Sequence, residues 1–226
     1  MSDRPERLAL RRAVRELRRS GLLPFTDPTA PSLVSIVVGR PVAGSWWGHP
    51  AGMLIYEVGE AVESHPDVLL LKLWRGKQTL VHRRLWPALV RIGKSRANWQ
   101  TVGLDPTGLA LLRQIEIYGS LRSDRSPPVF PLGSPEFRLA LRDLERRLLV
   151  LTRSVHTSPG AHAMEAESWA SWSERVRAGR FPGSVEAAQQ ALESAARGLT
   201  SERLARRAFP WDRPGRVPPS RRVSGK

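Results

Sequence analysis

The chain has 226 residues, 41% of them hydrophobic and 25% charged, proportions that support a buried core and exclude a wholly disordered chain. Thirty-six Lys and Arg against 21 Asp and Glu leave a net charge of +15. That balance points to a polyanionic partner, with nucleic acid ahead of an acidic membrane surface.

Residues 4–20 read as an amphipathic helix, with Asp3 as cap, Pro5 in the first turn and Gly21 as stop. The apolar, β-branched run Leu33–Val38 reads as a buried strand. A Gly/Pro loop carrying Trp46, Trp47 and His49 leads into a helix over 51–63. Val68–Trp74 and Thr79–His82 read as strands joined by Arg75–Gln78, a four-residue hairpin connection. A helix over 84–94 follows, with Pro87 in its first turn.

Asp105-Pro106 opens a helix that runs to Tyr118 and closes at Gly119. Residues 120–134, with three prolines, read as a linker. Phe137, Leu141, Leu144, Leu148 and Leu151 share one helical face, so a helix from Ser134 is expected to continue to Leu151. Further helices are expected from Ser158 to Arg177, from Ser184 to Gly198 and over 201–209. Residues 210–226, rich in Pro and Arg, have too little apolar content to fold.

The expected class is therefore α+β. A basic helix/strand region (1–104) would contact nucleic acid, an all-α region (105–209) would pack on it, and a disordered basic tail (210–226) would follow. The order helix, strand, helix, strand, turn, strand of the first region partly resembles a winged helix, with two helices before the wing where that fold has three.

Charge is unevenly placed along the chain. Residues 41–71 carry Glu57, Glu60, Glu63 and Asp67 and no basic residue. Residues 68–104 carry Lys72, Arg75, Lys77, Arg83, Arg84, Arg91, Lys94 and Arg96 and no acidic one. Eight cations without local acids suit phosphate contact, and the interleaved Trp74 and Trp86 could stack on bases. The plain alternative is a solvated basic face over core tryptophans.

For chemistry, His49 and His82 with Lys72 and Glu57 form one candidate catalytic set. Two histidines and a lysine can cleave RNA by general acid/base action without metal, and a lysine can form a Schiff base with an abasic sugar. The Trp46-Trp47-Gly48-His49 stretch is the most unusual loop and a candidate ligand site. His156, His162 and Glu165 could hold zinc or iron if His162 and Glu165 lie one turn apart on a helix. Without cysteine there are no disulfides, thiolate metal sites or Cys nucleophiles. Phosphate-loop, dinucleotide and serine-hydrolase signatures are missing, so no cofactor is expected.

No apolar run is long enough to span a membrane, and residues 1–19 contain no signal-peptide core, so a cytoplasmic location is expected. The function expected is nucleic-acid binding, DNA ahead of RNA. The alternative is a nucleic-acid-processing enzyme, either a repair glycosylase/lyase or a metal-independent nuclease.

Overall fold

A computed structural model describes residues 4–125, 134–157, 162–201, 205 and 208–212. The chain folds as mixed α/β with two three-stranded antiparallel sheets. The first is built by α1 (Pro5–Ser20), β1 (Leu22–Pro24), α2 (Leu33–Val38), α3 (Gly52–Glu63), β2 (Val68–Lys72) and β3 (Gln78–His82), with strand order β1-β3-β2. The second is built by α6 (Pro106–Tyr118), β4 (Ser120–Arg122), α7 (Pro135–Arg146), β5 (Val150–His156) and β6 (His162–Ser168), with order β4-β6-β5. Helices α4 (Trp86–Gly93) and the short α5 (Asn98–Thr101) lie between the two units in sequence, and α8 (Trp169–Arg175) and α9 (Val185–Arg197) follow them.

The first sheet is buried on both faces. Leu23 and Leu80 point to a core shared with Ala13, Leu17, Leu33, Val58 and Val62 of α1, α2 and α3. Their neighbours Leu22 and Val81 point the other way, into a core with Leu89, Ile92, Trp169, Trp172 and Leu192. That alternation follows from the two-residue repeat of a strand. The second sheet packs Leu121, Val150 and Ala166 on Leu111, Ile115, Phe137, Leu141 and Leu144 of α6 and α7. Leu148 and Leu151 belong instead to the α4 core, so that core touches both units.

Several expected elements take a different form. Leu33–Val38 is a helix, not a strand. Ser32 and Ser35 form a reciprocal capping box, Ser35 N to Ser32 Oγ at 3.1 Å and Ser32 N to Ser35 Oγ at 2.8 Å, and Gly39 closes the helix at φ 84°. Capping and burial of Leu33 and Val34 outweigh the strand preference of Val and Ile. The first unit therefore has three helices before its hairpin.

The C-terminal half is not all-α. The helix from Ser134 stops at Arg146, Leu148 turns left-handed at φ 52°, and Val150–His156 pairs with His162–Ser168. The leucine spacing stays helical to Leu151, but the β-branched Val150, Thr152 and Val155 suit the strand that forms there. The helix expected from Ser158 begins only at Trp169, where Ser168 caps it. Part of the expected linker is β4, and 126–133 lie outside the described residues, as does most of the helix expected over 201–209.

The tail boundary also moves. Pro210–Asp212 form a 3-10 turn in which Trp211 stacks on Phe209 (4.6 Å between ring centroids, 4° apart) and donates its indole N–H to Glu193 at 2.8 Å. Residues 213–226, and Asp3 with its expected cap, lie outside the described residues.

Candidate nucleic-acid interface

The basic run of 68–104 begins on the β2–β3 hairpin, whose register pairs Val68 with His82 and Lys72 with Gln78. Trp74–Gly76 form its turn, with Arg75 at φ 52° and Gly76 at φ 72°. Thr79 Oγ1 accepts the Trp74 amide at 2.9 Å and donates to the Lys77 carbonyl at 3.0 Å. Buried Asp27 accepts the Trp74 indole N–H at 2.9 Å and meets Arg75 at 3.4 Å. Arg75 also lies 5.7 Å from the Trp74 ring. Its side chain is thus held against the protein, whereas Lys77 is exposed.

The expectation of eight unopposed cations is corrected by the tertiary contacts. Lys72 pairs with Glu145 at 2.7 Å, Arg75 with Asp27, Arg83 with Asp67 at 3.0 Å, and Arg96 with Glu116. Arg84 donates to the Arg19 carbonyl at 3.0 Å. The acids come from α6, α7 and the loops at 27 and 67, all outside the run itself. Trp74 and Trp86 are core residues at 0% and 4% exposure, and neither can stack on a base. The Trp86 indole is used internally, donating to the Val81 carbonyl at 3.2 Å.

Two cations of the run, Arg91 and Lys94, meet Arg180 at a groove of about 400 Å³ between α4 and the segment 179–183. Pro87, Val90, Phe181 and Pro182 give it an apolar floor, and Arg91, Lys94 and Arg180 line its rim beside Ser173. Arg91 sits near Glu186, which its charge helps to hold below the ordinary carboxylate range, after the larger effects of backbone and Ser184 hydrogen bonds at the start of α9. Lys94 and Arg180 meet no carboxylate at ion-pair distance among the described residues. An apolar floor under three cations suits a phosphate attached to an organic group. Arg180 was not among the expected contacts, because it lies more than 80 residues along the chain from Lys94 and has no local motif.

The candidate catalytic residues are not brought together. Lys72 and His82 sit at opposite ends of the β2–β3 ladder, four residue steps apart, which is about 13 Å along a strand. His82 Nδ1 faces the Arg84 amide at 3.4 Å. Burial pushes the His82 pKa down; Asp67 opposes this, while Arg84, Arg18 and His65 add to it. His49 is occupied locally: its Nδ1 accepts the Ala51 amide at 3.0 Å, and its amide donates to the Trp46 carbonyl at 3.0 Å. Glu57 is exposed on α3, and its neighbour Glu60 lies one turn further on.

The metal set is also rearranged. His156 and His162 are cross-strand partners with rings 4.4 Å apart, and Ser154 Oγ is 3.3 Å from His162 Nδ1. Glu165 is three residues from His162 on a strand, hence on the opposite face, where it pairs with Arg153 at 2.6 Å. Among the described residues no three His, Asp or Glu side chains form a metal-binding group.

The Trp46–His49 loop carries an exposed aromatic surface. Trp46 and Trp47 stack at 4.2 Å, Phe25 packs on Trp46 at 5.7 Å, and Tyr56 lies 6.4 Å from Trp47. Among the described residues no helix is long and apolar enough to cross a membrane. Comparison with protein families, with curated proteins and with solved structures finds no match to this chain.

Proposed function

We propose that this chain is a nucleic-acid-binding protein, DNA ahead of RNA, built from two winged-helix-like units. The observation that carries the reading is the groove in which Arg91, Lys94 and Arg180 converge over an apolar floor, two of them without a carboxylate partner among the described residues. A net charge of +15 supplies the long-range attraction that such a groove needs.

The shape of the two units supports the same reading by analogy. Three helices precede the β2–β3 hairpin, and its sheet order is β1-β3-β2. The second unit repeats that order as β4-β6-β5, with β5–β6 as its hairpin. The exposed turn of the first hairpin offers Lys77 to a backbone phosphate. Helix α3 is not assigned to that contact, since Glu57, Glu60 and Glu63 on its exposed side would repel phosphates. DNA is placed first because no aromatic motif of RNA-binding sheets occurs in the sequence.

Titration of labelled duplex and single strands at several salt concentrations tests the proposal. Lys77, Lys94 and Arg180 acting on phosphates correspond to a log–log salt slope of about −3 on duplex, and Lys77→Glu/Lys94→Glu/Arg180→Glu should abolish that part of the slope. Absence of binding to any nucleic acid at low salt, or an unchanged slope in the triple variant, overturns the reading.

A further inference from the structure

The aromatic surface at residues 46–56 is built, not incidental. Successive backbone bonds, His49 N to Trp46 O at 3.0 Å and Gly52 N to His49 O at 2.7 Å, hold the loop, and His49 Nδ1 takes the Ala51 amide. Gly52 lets the backbone approach closely there, since a Cβ would lie 3.3 Å from the Trp47 carbonyl oxygen. The result is a stacked indole pair with Trp47 71% exposed, continued along α3 by Met53 at 70% and Tyr56 at 44%. Met53, Tyr56 and Glu60 follow helical spacing, so the exposed acids Glu57 and Glu60 border the apolar surface. No Lys or Arg occurs anywhere from 41 to 71.

An aromatic surface with an acidic edge repels a phosphate backbone and suits a segment rich in proline and arginine. Proline rings pack on indole faces, and guanidinium groups lie over aromatic rings or pair with carboxylates. One such segment is on this chain. Residues 213–226 contain Arg213, Pro214, Arg216, Pro218, Pro219, Arg221, Arg222 and Lys226, and no acid. The point from which it departs is linked to the aromatic surface by touching side chains. Phe209 packs edge-on against Trp74 at 6.4 Å, the Trp74 indole bonds Asp27, and Phe25, two residues before Asp27, packs on Trp46. Fourteen residues in extended form reach about 43 Å.

We propose that the Trp46–Trp47–Tyr56 surface, edged by Glu57 and Glu60, is the docking site of the chain's own segment 213–226. Docking there withdraws five basic residues from the surroundings of the protein, so the segment and a nucleic acid would compete.

The chain has no cysteine, so Ser220→Cys gives a single attachment point for a fluorophore that tryptophan quenches on contact. In the full chain the label is expected to be quenched, by the same extent at all protein concentrations. Trp47→Ala should remove the quenching down to the level of the label on the urea-unfolded chain, and Glu57→Lys/Glu60→Lys should do the same by charge. Both changes are at exposed positions, and an unaltered thermal midpoint verifies the fold. Equal quenching with and without Trp47 overturns the proposal. Quenching that grows with protein concentration overturns it as well, in favour of the segment of a second copy.

Discussion

Asp27 offers the sharpest test of how the β2–β3 hairpin is held. Its carboxylate is fully buried. One oxygen accepts the Thr29 amide (2.8 Å), the Thr29 hydroxyl (2.9 Å) and the Ala30 amide (2.8 Å); the other takes the Trp74 indole and meets Arg75. Burial alone would raise its pKa, but these hydrogen bonds outweigh that, and the group sits below the ordinary carboxylate value. Asp27→Ala leaves the indole N–H and two backbone amides without an acceptor. One orphaned buried donor costs about 1–3 kcal/mol, and losing one side of a buried ion pair costs about 3–5 kcal/mol. Arg75 keeps some access to water, so its share is small, and the expected total is about 4 kcal/mol. Asp27→Asn retains an acceptor for Thr29 and Ala30 but sets an NH2 group against the indole N–H, for about 2 kcal/mol. Urea unfolding measures both as shifts in midpoint at constant slope. Because the folded pKa is depressed, the stabilisation is complete above the unfolded value of about 3.9 and is lost as pH falls through the folded one. The gap between wild type and Asp27→Ala should therefore narrow in acid. A cost below about 1 kcal/mol for Asp27→Ala at neutral pH would refute the bonding described.

Two further outcomes follow from the packing. Burial chiefly lowers the His82 pKa in the fold, so the unfolded chain takes up its proton first and stability should fall as pH drops below about 6.5. His82→Gln should flatten that step in a series of thermal midpoints between about pH 5 and 7.5. Gly93→Ala would place a Cβ 2.3 Å from the Trp169 indole nitrogen, which is fixed by its bond to the Leu148 carbonyl at 2.7 Å. Overpacking against a ring that cannot move should cost about 3 kcal/mol, readable in chemical denaturation.

Much of the local structure was legible from residues alone. Pro5, Pro106 and Pro135 mark first turns, Asp105, Ser134 and Ser184 cap their helices, and the 68–82 hairpin appears where strand-forming runs flank Arg75–Gln78. These signals are short-range: a cap needs three residues, and a hairpin needs two strands and a turn. Leu33–Val38, Val150–Leu151 and His162–Ser168 take a different form from the one their apolar residues suggest, because those residues fit either period and the deciding contacts, the α1–α3 core and the β5–β6 pairing, lie outside the pattern itself.

The candidate site shows the same division. Net charge is a sum over residues and can be counted from the sequence. Which cations remain available is a matter of distance. Glu145 reaches Lys72 across 73 positions and Asp27 reaches Arg75 across 48, while Arg180 joins Arg91 and Lys94 from a separate segment. Coulomb attraction depends on separation in space, and sequence spacing carries no record of it beyond a helical turn or a hairpin. The amino-acid order alone therefore determined the excess of positive charge and most of the helices, and only the tertiary fold decided where that charge is left unpaired.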